Sequence, residues 1–178
     1  MTSFLSDGVF WGYLISVVVV LLIILFVGRH SLWDHHDHTA YYETMHRPWW
    51  GVCRSTLIVL LLVAAALLVA AMYQADTRAT TEEAKQGLRI WFGFTLASLL
   101  VWGLLFFGSL NFLAAGYMGL ILFAVATFLY YLVLVADVTA AWLFLIPYLV
   151  VFYCVMLTRE FYAHNSASRL AHNNLYWD

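Results

Sequence analysis

The sequence predicts an all-α integral membrane protein, folded as a bundle of five transmembrane helices. Hydrophobic residues make up 65% of the 178 residues and charged residues only 10%, whereas soluble domains are about one-quarter charged. No Asp, Glu, Lys or Arg occurs between Arg89 and Asp137. Because about 20 apolar residues cross a bilayer, this uncharged segment holds two spans. The apolar runs are continuous rather than alternating, which favours helices over a β-barrel.

Three further uncharged windows supply the remaining spans. The five predicted spans cover about residues 9–28, 55–75, 90–107, 112–135 and 138–158 and form a single membrane domain. No small-residue cleavage site follows the first span, so we expect it to stay in the mature chain as a signal anchor.

Two short polar sequences separate the last three spans. Gly108-Ser109-Leu110-Asn111 combines a glycine that ends one helix with Ser109 and Asn111, which can cap the next. Asp137 precedes the fifth span, where its carboxylate can accept hydrogen bonds from the free amides of the first turn. A cap is therefore the favoured interpretation of Asp137, with an ion site as the alternative.

Arginine and lysine predict the orientation of the bundle, because short cytosolic loops carry more of them. Five spans put the polar loop 29–54 and the C-terminus on one side, with Arg29, Arg47, Arg54, Arg159 and Arg169. The other side carries Arg78, Lys85 and Arg89. This difference predicts that the loop 29–54 and the C-terminus face the cytosol.

Charge and residue types argue against several functions. A net charge of −2 gives no basic surface for nucleic acid. The predicted spans contain no His, Asp, Glu, Lys or Arg, although proton pumps, ion transporters and histidine-ligated haem carriers need such groups within the membrane. No nucleophile, base and orienting group occur together, so we expect no enzymatic activity.

Trp102 differs from the other aromatic residues of the spans because it lies in the middle of one of them. A buried indole N–H needs a hydrogen-bond partner, and Gly103 and Phe106 offer close approach and apolar packing. We therefore expect Trp102 to face the interior of the bundle. Gly93 and Ala97, at helical spacing, allow close helix packing within the monomer or, as a minor alternative, in a homodimer.

Three motifs, taken in order, resemble those of a known family. Arg47-Pro48-Trp49-Trp50 precedes the second span, Trp102 is followed by Phe106-Phe107-Gly108 at the end of the third, and Pro147-Tyr148-Leu149 lies in the fifth. They resemble the Lys/Arg-Pro-x-Trp, Trp-x-x-x-Phe-Phe-Gly and Pro-Tyr-Leu motifs of the TspO/MBR family, the tryptophan-rich sensory protein or translocator protein family. The resemblance extends from about Tyr41 to Asn165.

The resemblance implies five helices around a cavity that takes a flat apolar molecule, either a tetrapyrrole (porphyrin or haem) or a sterol, with no obligatory cofactor. The implied ligand-binding residues are Trp50, Trp102, Phe106 and Tyr148. The resemblance also makes a mitochondrial membrane one candidate location.

Several residues depart from the family pattern. Val52-Cys53 stand where the family has paired prolines, Leu99-Leu100 where it has Asn-Trp, and Thr158-Arg159 where it has Leu-Asn. These losses leave a second function open. The chain would then be a structural or accessory subunit of a larger membrane assembly, such as a respiratory complex or an enveloped particle, that no longer binds the ligand.

The loop between the first two spans is rich in histidine. It contains His30, His35, His36, His38 and His46. If this segment is helical, His35 and His38 share one face at spacing i, i+3 and can bind a metal ion or haem iron. Solvated surface histidines or a pH-sensitive contact are the alternatives.

Overall fold

The computed structural model describes residues 7–33, 51, 54–108 and 111–174, and these parts are helical apart from short connections, without any strand. The helices are α1 (Gly8–Trp33), α2 (Arg54–Arg78), α3 (Glu82–Gly103), α4 (Phe112–Ala136) and α5 (Val138–Asn174). A π-helical turn, Leu104–Gly108, continues α3. Five helices are long and apolar enough to cross a membrane. The predicted class, an all-α bundle of five transmembrane helices, is confirmed.

The five helices close into a ring in the order α1, α2, α5, α4, α3. The last helix of the chain therefore packs between α2 and α4 rather than at the edge of the bundle. Helix α1 completes the ring by contacting α2 on one side and α3 with its π-helical turn on the other. It is the least buried of the five spans.

The connection between α2 and α3 is much shorter than the sequence suggested. Helix α2 continues past Asp76, and α3 begins before Arg89, so that only residues 79–81 lie between them. The Thr81 hydroxyl caps α3 by accepting a hydrogen bond from the Ala84 amide at 3.2 Å. Asp76 and Arg89, which flank the predicted spans, thus lie within the two helices and neutralise each other between them.

Both predicted caps are present. The Asn111 side chain accepts from the Ala114 amide at 3.1 Å, and the Asp137 carboxylate accepts from the Thr139 and Ala140 amides at 3.2 and 3.3 Å. Asp137 also accepts a hydrogen bond of 2.6 Å from the Gln74 side chain, which ties α2 to the start of α5. Burial opposes ionisation of Asp137, but these hydrogen bonds outweigh it and lower the pKa of the carboxyl group.

Glycines let α1 approach the end of α3. A Cβ atom added at Gly103 would lie 2.7 Å from the Ile24 side chain, and one at Gly108 would lie 2.9 Å from Val27. Any larger residue at these positions therefore requires the Ile24 or Val27 side chain to move. Gly93 and Ala97 lie on the exposed face of α3, so the expectation that they pack closely within the monomer is wrong, and the homodimer contact stays a prediction.

Candidate functional site: an apolar cavity inside the bundle

A cavity of about 50 Å³ lies at the centre of the ring, and every one of the five helices contributes to its wall. The lining residues are Val17 and Leu21 of α1, Leu61, Ala64, Ala65 and Leu68 of α2, Thr95, Leu96 and Leu99 of α3, Leu122 and Ala126 of α4, and Phe144, Pro147, Tyr148, Val150 and Val151 of α5. The wall is thus almost entirely aliphatic and aromatic, and suits an apolar molecule.

Few polar groups reach this cavity. The Thr95 hydroxyl already donates to the Trp91 carbonyl at 2.9 Å. Pro147 lies within α5 and has no N–H to give to the Leu143 carbonyl one turn earlier. The Leu143 carbonyl therefore lacks the helical donor that any other residue at position 147 would supply.

Tyr148 is the predicted ligand-binding residue that lines the central cavity. Its ring stacks on Tyr130 at a centroid distance of 5.4 Å and on Phe123 at 5.3 Å. Its hydroxyl group lies 3.2 Å from the Thr127 hydroxyl. The side chain is therefore held rigidly against α4, and can present an aromatic wall without losing further conformational freedom.

Trp102 and Phe106 lie next to each other in a separate cluster, outside the wall of the central cavity. The Trp102 indole is 1% exposed, as predicted for an interior position, and its N–H donates to the Thr158 hydroxyl at 3.2 Å. Its ring stacks on Phe106 at 5.2 Å, and the rings of Phe112 and Phe161 pack against Phe106. The protein's own side chains occupy the aromatic face that the sequence suggested for a ligand.

The π-helical turn Leu104–Gly108 was not foreseen from the sequence, although such turns are frequent at functional sites. Phe107 in this turn closes a second, smaller cavity of about 30 Å³ between α1 and α2. Leu21 and Leu61 line this side cavity and the central cavity alike. The two leucines therefore belong to the wall of the central cavity and also to the wall of the crevice beside α1.

A polar cluster lies at the end of the bundle that carries the α2–α3 connection. Asp76 is 3% exposed and is paired with Arg89. Tyr13 of α1 is also buried, and its hydroxyl has no hydrogen-bond partner in the part of the chain that the structure describes. This cluster was missed because Asp76 and Arg89 looked like loop residues flanking the apolar runs.

Three residues that the sequence analysis proposed for binding lie outside the described residues. They are Trp50, for the apolar ligand, and His35 and His38, for a metal.

The fold and cavity together define a multi-pass integral membrane protein with an apolar cavity that is lined by all five helices. The sequence pattern of the TspO/MBR family matches residues 14–163, which is most of the chain. The chain belongs to the TspO/MBR family. That family is one of membrane binding and transport proteins. No curated protein sequence matches the chain.

Proposed function

We propose that this protein is a TspO/MBR-type receptor that binds a flat apolar ligand, a tetrapyrrole or a sterol, in the central cavity. The observation that carries the proposal is an apolar cavity to which all five helices contribute lining residues. Membership of the family supports it as well. Specificity would come from shape and from the few polar groups at the wall, as in other apolar binding sites.

The size of the cavity sets a condition on this function. Ligand sites usually measure about 300–1,000 Å³, whereas the central cavity has about 50 Å³. The helices must therefore separate when the ligand binds. Helix α1 is the natural moving part, because it is the least buried span and because its Leu21 lines both the central cavity and the crevice beside it.

A titration of protoporphyrin IX into the detergent-solubilised protein, followed by tryptophan quenching, tests the proposal. We expect saturable binding to the wild type. Ala64→Leu fills the cavity from α2 and should weaken binding at least about tenfold, which corresponds to about 1.4 kcal/mol. Ala66→Leu makes the same change on the exposed face of the same helix and should bind like the wild type.

Absence of saturation, with cholesterol as well as with the porphyrin, would overturn the receptor function. Equal affinities for Ala64→Leu, Ala66→Leu and the wild type would show that the ligand does not bind in the central cavity. Thermal unfolding of each variant separates a blocked cavity from a damaged fold.

One observation favours a second function, that of a structural or accessory subunit. The Trp102 indole is already satisfied by Thr158 and stacked on Phe106, so this part of the bundle is packed as a scaffold rather than left open. Isolation of the protein from its native membrane in mild detergent tests this function, since an accessory subunit should co-purify with a large assembly. Fractionation of the same cells tests the mitochondrial location.

A further inference from the structure

We propose that an outer groove between α4 and α5 binds an anionic phospholipid, with one acyl chain in the groove and the headgroup phosphate on Arg159. The groove has a volume of about 290 Å³, larger than the central cavity, and lies on the outside of the bundle. It does not depend on the receptor function proposed above, because the two cavities share no lining residue.

The walls of the groove are apolar. Leu113 and Leu120 of α4 are about half exposed, and Val155 and Met156 of α5 form the opposite wall. Gly116 lies between them on α4, and a Cβ atom added there would meet nothing within 4 Å. The glycine therefore leaves open space at the groove wall, where an acyl chain can lie against the helix.

The position of Arg159 along α5 places it at the level of the lipid headgroups. Asp137, just before α5, marks one membrane boundary. Arg159 lies 22 residues further along the chain, or about 33 Å at a rise of about 1.5 Å per residue. The hydrocarbon core of a bilayer is about 30 Å thick. A phosphate at the opposite boundary is therefore within reach of Arg159, and the apolar part of the groove runs inwards from it.

Charge selects the type of lipid. No acidic side chain among the described residues pairs with Arg159, and the carboxylate of its neighbour Glu160 lies 3.4 Å from His164. A guanidinium group binds phosphate oxygens with two parallel hydrogen bonds. Sterols carry no anionic group, and a zwitterionic lipid offers less net negative charge. An apolar groove that ends at an arginine without an acidic partner among the described residues therefore fits an anionic phospholipid best.

Native mass spectrometry of the purified full-length protein tests this proposal. Phosphatidylglycerol and phosphatidylcholine with identical acyl chains are offered at equal concentrations, and we expect about fivefold more phosphatidylglycerol to remain bound. Arg159→Gln should abolish this preference, while Arg78→Gln, an exposed cation outside the groove, should keep it. Gly116→Leu should remove both lipids, whereas Gly93→Leu, at an equally open glycine on α3, should retain them.

Two results would overturn the proposal. One is equal retention of the two phospholipids by the wild type. The other is displacement of phosphatidylglycerol by cholesterol with no effect of Arg159→Gln, which would make the groove a sterol site. Arg159 is exposed, so its substitution leaves the fold intact and remains informative if Gly116→Leu fails to fold.

Discussion

Arg89 of α3 donates two parallel hydrogen bonds to the Asp76 carboxylate of α2, at 3.0 and 2.9 Å. Asp76 is 3% exposed, whereas 45% of the Arg89 side chain remains accessible. Arg89, at the edge of the bundle, thus neutralises the buried Asp76 carboxylate. The pair fixes the relative height of α2 and α3, because two hydrogen bonds in one plane tolerate little sliding.

Removal of one partner should therefore cost more than removal of both. Arg89→Gln leaves the Asp76 carboxylate buried and unpaired, and we expect a loss of about 1–3 kcal/mol in the free energy of unfolding. The double variant Asp76→Asn/Arg89→Gln should recover part of it. Lys85→Gln, which breaks an exposed pair with Glu82, is the control and should change stability by less than about 0.5 kcal/mol. Unfolding in detergent measures all three.

Close approach of α1 and α3 should depend on Gly103. Gly103→Ala brings a Cβ atom to 2.7 Å from Ile24, and such overpacking costs about 1–3 kcal/mol. Gly93→Ala adds the same methyl group to α3 in open space and should be neutral or slightly stabilising. Equal melting temperatures for the two variants would show that Ile24 moves aside without cost.

Two substitutions at Thr158 measure how much the hydrogen bond from the Trp102 indole contributes to the stability of the protein. Thr158→Val keeps the volume but leaves the buried indole N–H without its acceptor, and we expect a loss of about 1–3 kcal/mol. Thr158→Ser keeps the hydroxyl and should lose less. If Thr158→Ser destabilises as much as Thr158→Val, the loss of the methyl group costs as much as the loss of the hydroxyl, and the hydrogen bond is not the dominant contribution of Thr158.

Labelling from one side of the membrane tests the predicted orientation. In a cysteine-free background, one single cysteine is placed at position 38, within the predicted polar loop 29–54, and another at position 84, just after the α2–α3 connection. An impermeant thiol reagent added to sealed vesicles should modify only one of them. Modification of both contradicts the five-span topology.

Stability should fall at low pH through Asp137. The pKa of this carboxyl group is lower in the folded protein than its usual value of about 3.9. The charged form therefore stabilises the fold above about pH 4, and this contribution disappears as the pH falls through the lower folded pKa. Asp137→Asn should remove this part of the pH dependence, and the unfolding temperature measured from pH 6 to pH 3 provides the comparison.

Local sequence patterns were sufficient to predict the number of spans, their caps and the interior position of Trp102. Apolar length reports directly on membrane crossing, and the Asn111 and Asp137 side chains act on amides within three residues of themselves. The sequence did not predict that residues 76–78 and 82–89 are helical, because a charged residue near the end of a span can be accommodated in two ways. It can leave the helix, or it can find a partner across the bundle as Asp76 and Arg89 do.

The composition of the cavity wall was beyond local patterns. Ala64 and Ala126 come from α2 and α4, and they matter only because the ring order brings both to the same space. Contacts such as that between Gln74 and Asp137 join residues far apart in sequence. Helical periodicity identifies the apolar face of an amphipathic helix, but in a membrane span every face is apolar, so that periodicity does not show which residues point inwards.

The ring order also governs how the protein is made. Because α5 is translated after the other four helices yet packs between α2 and α4, a nascent chain that has inserted only four spans forms an open arc with one flank of α2 bare. The Trp102 indole reaches its acceptor Thr158 only after α5 enters the bilayer. Closure of the bundle therefore waits until α5 has been inserted, and a chain truncated before Val138 presents to the quality-control machinery an indole N–H without its acceptor.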